Sequence, residues 1–118
     1  MNSDQASVYL QHLMDFNAVP IITWSADGGI LSANDAYLKL IGYTREDLEA
    51  KRINWRALTP PAYNPVDEDA LRQLESAPIA APYVKEYVRK DGARITVRLF
   101  SGRDTSGPGH GISIVLGE

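Results

Sequence analysis

The 118-residue chain has no cysteine, which excludes disulfide staples, thiolate metal sites, cysteine nucleophiles and any chromophore tethered through sulfur. Its two histidines, His12 and His110, lie far apart, so no histidine pair stands at zinc-binding spacing. No apolar run approaches the roughly 20 residues that cross a bilayer, and no basic-then-apolar leader follows Met1. Neither sign of charge dominates. Twelve Lys and Arg against fifteen Asp and Glu leave a formal charge of -3, with no electrostatic reason to expect nucleic acid or direct membrane contact. Enzyme signatures are missing as well: there is no nucleophile elbow and no phosphate loop. Gly107-Pro108-Gly109-His110-Gly111 is glycine-rich, but its spacing is wrong for phosphate and a strand pattern, not a helix, follows it. Catalysis by this chain alone is not expected. The 44% hydrophobic and 23% charged content is that of a globular chain, and the length suits one domain with one core.

Strand signals fall into two groups. Asp27-Gly28-Gly29 separates Ile21-Ile22-Thr23-Trp24 from Ile30-Leu31, and Asp91-Gly92 separates residues 83–90 from 93–101. An Asp-Gly pair between β-rich runs predicts a tight hairpin. Ile95, Val97 and Leu99 alternate with Arg94, Thr96 and Arg98, the period of a strand with one covered face. Residues 101–110, rich in glycine, read as a loop before a last strand at Ile112-Ser113-Ile114-Val115-Leu116.

Helical signals fill the rest. Ala6, Tyr9, Leu10, Leu13 and Met14 form one apolar stripe, with Ser3 or Asp4 available as cap. Asn34 caps a second helix that Gly42 ends in a left-handed conformation, and Thr44 opens a short third one. A fourth takes Asn64 as cap and Pro65 as first residue, with Val66, Ala70, Leu71 and Leu74 inward and Pro78 as its stop. Asp67-Glu68-Asp69 at its start is explained by the helix dipole, so no metal is assigned to it. The order of helix, two strands, helices and three strands predicts an α+β domain, with one antiparallel sheet and helices on one face.

In this order and spacing, several pieces resemble a bacterial PAS sensor domain over about residues 17–116. They are Asp27-Gly28 with Ile30, Asn34 opening the helix that ends Ile41-Gly42-Tyr43, and Thr44-Arg45-Glu46-Asp47-Leu48. Trp55-Arg56-Ala57-Leu58-Thr59-Pro60-Pro61 and Lys85-Glu86-Tyr87-Val88-Arg89-Lys90-Asp91-Gly92 complete the set. The resemblance implies a PAS-like five-stranded antiparallel sheet in the order 2-1-5-4-3 that encloses a pocket with its helices. It implies a cytoplasmic sensing or relay module of a larger bacterial signalling protein, such as a sensor histidine kinase of a two-component system. The chain stops at Leu116-Gly117-Glu118, short of the junction such domains run into, so the output domain and its linker are expected beyond it. Residues 1–17 are assigned to a flanking helix and residues 18–118 to the sensor domain.

The resemblance also frames the cofactor question. Without cysteine, a cysteine-linked flavin or coumarate chromophore is excluded. Haem would need a histidine on the long helix before the third strand or just upstream, and residues 55–77 hold none. Noncovalent flavin or a small metabolite is left, and either needs an apolar cavity with a few polar groups. The expected lining is Trp24, Tyr37, Ile41, Trp55, Leu58, Leu71, Leu74, Val97 and Ile114, residues that equally serve as plain core. Glu86, flanked by Val84 and Val88, is expected to pair with a cation, such as Arg98 on the neighbouring strand, or to touch a ligand. The stripe of Ala6, Tyr9, Leu10, Leu13 and Met14 is expected to cover its own sheet or to form a homodimer contact. The rival reading is a ligand-free dimerisation or interaction domain with a filled core.

Overall fold

A computed structural model of the chain describes residues 5, 8, 9, 11, 12, 15, 17, 19–104 and 109–118. Five strands form one antiparallel sheet: β1 (Ile21–Ser25), β2 (Ile30–Ala33), β3 (Tyr83–Val88), β4 (Arg94–Arg103) and β5 (His110–Gly117). Their spatial order is β2-β1-β5-β4-β3, so both hairpin groups join through the β1–β5 pairing of Ile22 with Ser113 and Trp24 with Gly111. Four helices lie between β2 and β3: α1 (Asp35–Ile41), α2 (Arg45–Glu49), α3 (Trp55–Leu58) and α4 (Asn64–Ser76). They pack on the sheet face that carries Ile22, Trp24, Tyr87, Val97, Leu99 and Val115, and the core lies between the two layers.

Local chemistry explains the helix starts. The Asn34 carboxamide accepts from Tyr37 N at 3.1 Å and from Ile21 N at 3.0 Å, while its Nδ2 donates to Val19 O at 2.7 Å. One buried side chain therefore caps α1 and ties it to the edge of β1. Gly42 closes α1 at φ 79°, a left-handed conformation in which glycine has no Cβ to clash. Thr44 and Asp47 form a reciprocal capping box at the start of α2. Asn54 caps α3 by accepting from Arg56 N and Ala57 N, an element that the sequence reading did not resolve.

Three boundaries differ from expectation. Asn64 is the first residue of α4 rather than its cap, because a 3-10 turn over Pro61–Tyr63 runs straight into the helix. Val66 is exposed, and the buried residues of α4 are Asp67, Ala70 and Leu74, so the inward stripe is turned by one position and includes a carboxylate. The glycine-rich stretch is shorter as a loop than it reads: β4 continues to Arg103 and β5 begins at His110, since Gly102 and Gly111 pair in the ladder. Gln5, Val8, Tyr9, Gln11, His12 and Asp15 are helical, with Tyr9 exposed. Ala6, Leu10, Leu13 and Met14, the rest of the expected stripe, lie outside the described residues.

Candidate functional site

Strand alternation brings the site together. On β3, Tyr83, Lys85 and Tyr87 point into the core while Val84, Glu86 and Val88 point away. Lys85 is 1% exposed, and a lysine in that position is costly unless its charge is met. Asp67, one turn into α4 and 3% exposed, meets it. Lys85 Nζ donates to Asp67 Oδ2 at 2.8 Å, to Asp67 Oδ1 at 2.9 Å and to Thr59 Oγ1 at 2.8 Å. Tyr83 donates its hydroxyl to Asp67 Oδ1 at 2.8 Å, and Thr59 passes its own proton to Trp55 O at 2.7 Å. The ammonium also stands 5.1 Å from the Trp55 ring centre and 4.8 Å from that of Tyr87, within cation–π range of both.

Burial dominates the electrostatics. It pushes the Lys85 ammonium below the usual lysine value, with the Asp67 carboxylate acting in the opposite direction. Burial likewise raises the Tyr83 phenol, helped by the charge of Asp67, and raises the Tyr87 phenol. Both tyrosines are therefore neutral hydrogen-bonding groups at any physiological pH.

Beside the ion pair lies a cavity of about 30 Å³, room for one or two water molecules. Its walls are Ile22 and Trp24 of β1, Trp55 of α3, and Ala70, Leu71 and Leu74 of α4, with Leu99, Ser101 and Ser113 from β4 and β5. The polar end is closed by Asp67, Tyr83, Lys85 and Tyr87. Trp24 and Trp55 meet edge-to-face with ring centres 6.3 Å apart. Trp24 Nε1 donates to Ser113 Oγ at 2.8 Å, and Ser113 Oγ shares a proton with Ser101 Oγ at 2.6 Å. Arg56 fastens this side from outside: its guanidinium lies 4.7 Å over Trp55, donates to Ala26 O at 2.8 Å and pairs with Glu68.

Of the residues expected to line a pocket, Trp24, Trp55, Leu71 and Leu74 stand on the cavity wall. Tyr37, Ile41, Leu58 and Val97 are buried in the same core without reaching it. Ile114 lies on the opposite face of the sheet, because Ser113 and Val115 on either side of it point inward. Glu86 also faces away from the cavity, and its partner is Arg94 at 3.0 Å; Arg98 pairs instead with Glu118. His110 is the first residue of β5. Among the described residues no group of three or more His, Asp or Glu side chains could hold a metal ion.

Lys85, Asp67, Ser101 and Ser113 were not singled out from sequence as site residues. The signal for Lys85 was present: a hairpin turning at Asp91-Gly92 pairs residue 85 with 97, and Val97 already read as inward. For Asp67 no such signal existed, since a carboxylate in a first helical turn is explained by the dipole wherever it points.

The comparisons with known proteins agree on the kind of module. A family model described as "PAS domain" matches residues 18–116. The hybrid signal transduction protein dokA of Dictyostelium discoideum is 43% identical over 74 residues, 63% of this chain, and the chain spans 4% of that protein's length. A domain of a sensory box sensor histidine kinase/response regulator from Geobacter sulfurreducens superposes with a TM-score of 0.75 at 21% identity, covering 98% of this chain and 96% of that one. A LOV protein of Rhodobacter sphaeroides gives 0.73 at 18% identity, covering 99% and 68%.

Proposed function

The chain belongs to the PAS domain family, and on that footing we propose that it is the signal-sensing and relay module of a larger signalling protein. A small ligand or a partner's state acts at the cavity beside Lys85 and Asp67. The response passes through the sheet to the segments that precede β1 and follow β5, and catalysis belongs to an output domain elsewhere in the same polypeptide. One observation carries this reading. The cavity wall includes Ile22 and Trp24 of β1 and Ser113 of β5, which are hydrogen-bonded to each other across the β1–β5 pairing. These are the strands from which the chain leaves the domain at either end. A change in the cavity therefore acts directly on the strands that lead out, and a signal can bias the output only by its differential affinity for two arrangements of them. The relatives with this fold are parts of signalling proteins, which supports the same role. A cofactor of flavin size, which occupies about 300–1,000 Å³ in ordinary sites, has no room in the cavity as it stands.

The test uses the ion pair itself. Lys85→Met alone leaves Asp67 buried without its cation, a loss of about 3–5 kcal/mol that endangers folding in a small domain. Lys85→Met with Asp67→Leu replaces both charges by hydrocarbon, which is often neutral or stabilising. Amide hydrogen exchange of that double variant is expected to change at β1 and β5 as well as at α4 and β3. Changes confined to α4 and β3 would show that the cavity does not communicate with the outgoing strands, and the relay reading would fall.

A further inference from the structure

Two asparagines, one on each side of the β1–β2 hairpin, close the start of α1. A helix leaves its first backbone N–H groups without acceptors of its own. In α1 the amide of Tyr37 donates to Asn34 Oδ1, whereas those of Asp35 and Ala36 donate to Asn17 Oδ1 at 2.8 and 3.3 Å. Asn34 adjoins the helix it caps. Asn17 reaches it from the stretch before β1, and its Nδ2 donates at 3.3 Å to the carbonyl of Asp15 in the flanking helix. One side chain is therefore bonded to two helices. Its backbone is left-handed, at φ 54°, a conformation that asparagine tolerates better than most residues. Just beyond, the carbonyl of Val19 accepts from Asn34 Nδ2, so the whole turn from flanking helix to β1 is held against the start of α1.

The inner side of α1 touches the cavity wall. Tyr37 meets Tyr87 edge-to-face with ring centres 6.2 Å apart. Tyr87 lines the cavity, and its ring centre lies 4.8 Å from the Lys85 ammonium. A continuous line of contacts thus runs from the buried ion pair through Tyr87, Tyr37 and the start of α1 to Asn17 and the flanking helix.

We propose that Asn17 is a clasp that makes α1 and the flanking helix move as one body, so that a displacement of Tyr87 reaches the flanking helix through Tyr37 and α1 without passing along β1. The proposal rests on reading the cavity as the sensing site and adds a second route out of it. Asn17 acts as a positioning residue, and the acceptor Oδ1 is the atom that matters. Asn17→Asp keeps an acceptor there, now carrying a negative charge that a helix start favours. Asn17→Gly keeps the left-handed backbone and removes the side chain.

The chain has no cysteine, so spin labels attach only where cysteines are introduced. Val8→Cys in the flanking helix and Lys39→Cys in α1 put one label on each body, both at exposed positions. Double electron–electron resonance is expected to give one narrow distance with Asn17 present, a narrow one with Asn17→Asp and a broad one with Asn17→Gly. Amide exchange at Asp35 and Ala36 is expected to quicken about fivefold in Asn17→Gly alone. A broad distribution with Asn17 or Asn17→Asp, or a narrow one with Asn17→Gly, overturns the clasp. A second label pair, Val8→Cys with the exposed Thr96→Cys of β4, tests the route. Lys85→Met with Asp67→Leu is expected to shift that distance when Asn17 is present and not in Asn17→Gly. If amide exchange at β1 and β5 responds to the double variant while the distance stays, or if the shift survives Asn17→Gly, the route through α1 falls and the strand relay stands. A shifted distance without a response at β1 and β5 removes the strand relay and keeps the route through α1, and no response in either removes both.

Discussion

Gly111 of β5 and Trp24 of β1 are register partners, and the Trp24 indole lies over the glycine in the space a side chain would fill. A Cβ at position 111 would run into the six-membered ring of the indole, closer than real Cβ atoms approach anything. The absent side chain lets Trp24 lie flat enough to donate to Ser113 and to meet Trp55 edge-on. Gly111→Ala is therefore expected to destabilise the domain by about 1–3 kcal/mol, the usual penalty for overfilling a packed core. Thermal unfolding gives the loss, and tryptophan fluorescence should shift with it because the indole must move. A variant with unchanged stability and emission would show that Trp24 has another place to go.

Tyr37 carries the opposite kind of flaw. Its side chain is fully buried on α1, and its hydroxyl meets no partner at hydrogen-bonding geometry, although the Tyr87 hydroxyl lies close enough to couple with it electrostatically. An unsatisfied buried hydroxyl costs about 1–3 kcal/mol. Tyr37→Phe keeps the edge-to-face contact with Tyr87, whose ring centre is 6.2 Å away, and removes only the oxygen. The expected outcome is a domain as stable as the natural one or more so, read from urea midpoints. A clear loss of stability would mean that the hydroxyl has a partner after all.

Acid should act through Asp47. Its carboxylate accepts from Thr44 N, Lys90 Nζ and Arg52, bonds that hold its pKa well below the usual range, with the backbone bond from Thr44 the largest cause. Asp27 and Asp69 are lowered too, mainly by Ser25 and by Gln73 respectively. For each, the unfolded chain binds the proton more readily than the folded one. Stability is then fully present above the ordinary Asp value of about 3.9 and is lost as pH falls below it toward the depressed folded value. Asp47→Asn is expected to be less stable at neutral pH and to lose less on acidification, so that the two curves of urea midpoint against pH converge toward low pH. Parallel curves would exclude Asp47 as a source of the acid sensitivity.

Much of the fold was legible in short stretches of the chain. Asp27-Gly28-Gly29 and Asp91-Gly92 mark their hairpins because tight turns need conformations that few residues tolerate, and Asn34, Gly42 and Thr44 mark helix ends through bonds to backbone a few residues away. The errors lie where the deciding partner is remote. Val66 and Asp67 are equally good first-turn residues, and only Lys85, on another strand, selects which of them faces inward. Ile114 reads as core by composition, yet the inward position of Ser113, held by Trp24 from the far end of the chain, puts it on the other face. Glu86 pairs with Arg94 rather than Arg98: both arginines lie diagonal to it, on either side of the directly opposite Thr96, and Arg98 is taken by the remote Glu118.

The amino-acid sequence alone determined the class of domain, the strand and helix order and the absence of thiol chemistry, because these depend on residue types and on spacings within one turn or one hairpin. Tertiary structure alone decided that a lysine and an aspartate eighteen positions apart share the core with a cavity. Burying a charge is tolerable only when its counterpart arrives from a different element, and that arrival depends on the packing of α4 across the sheet.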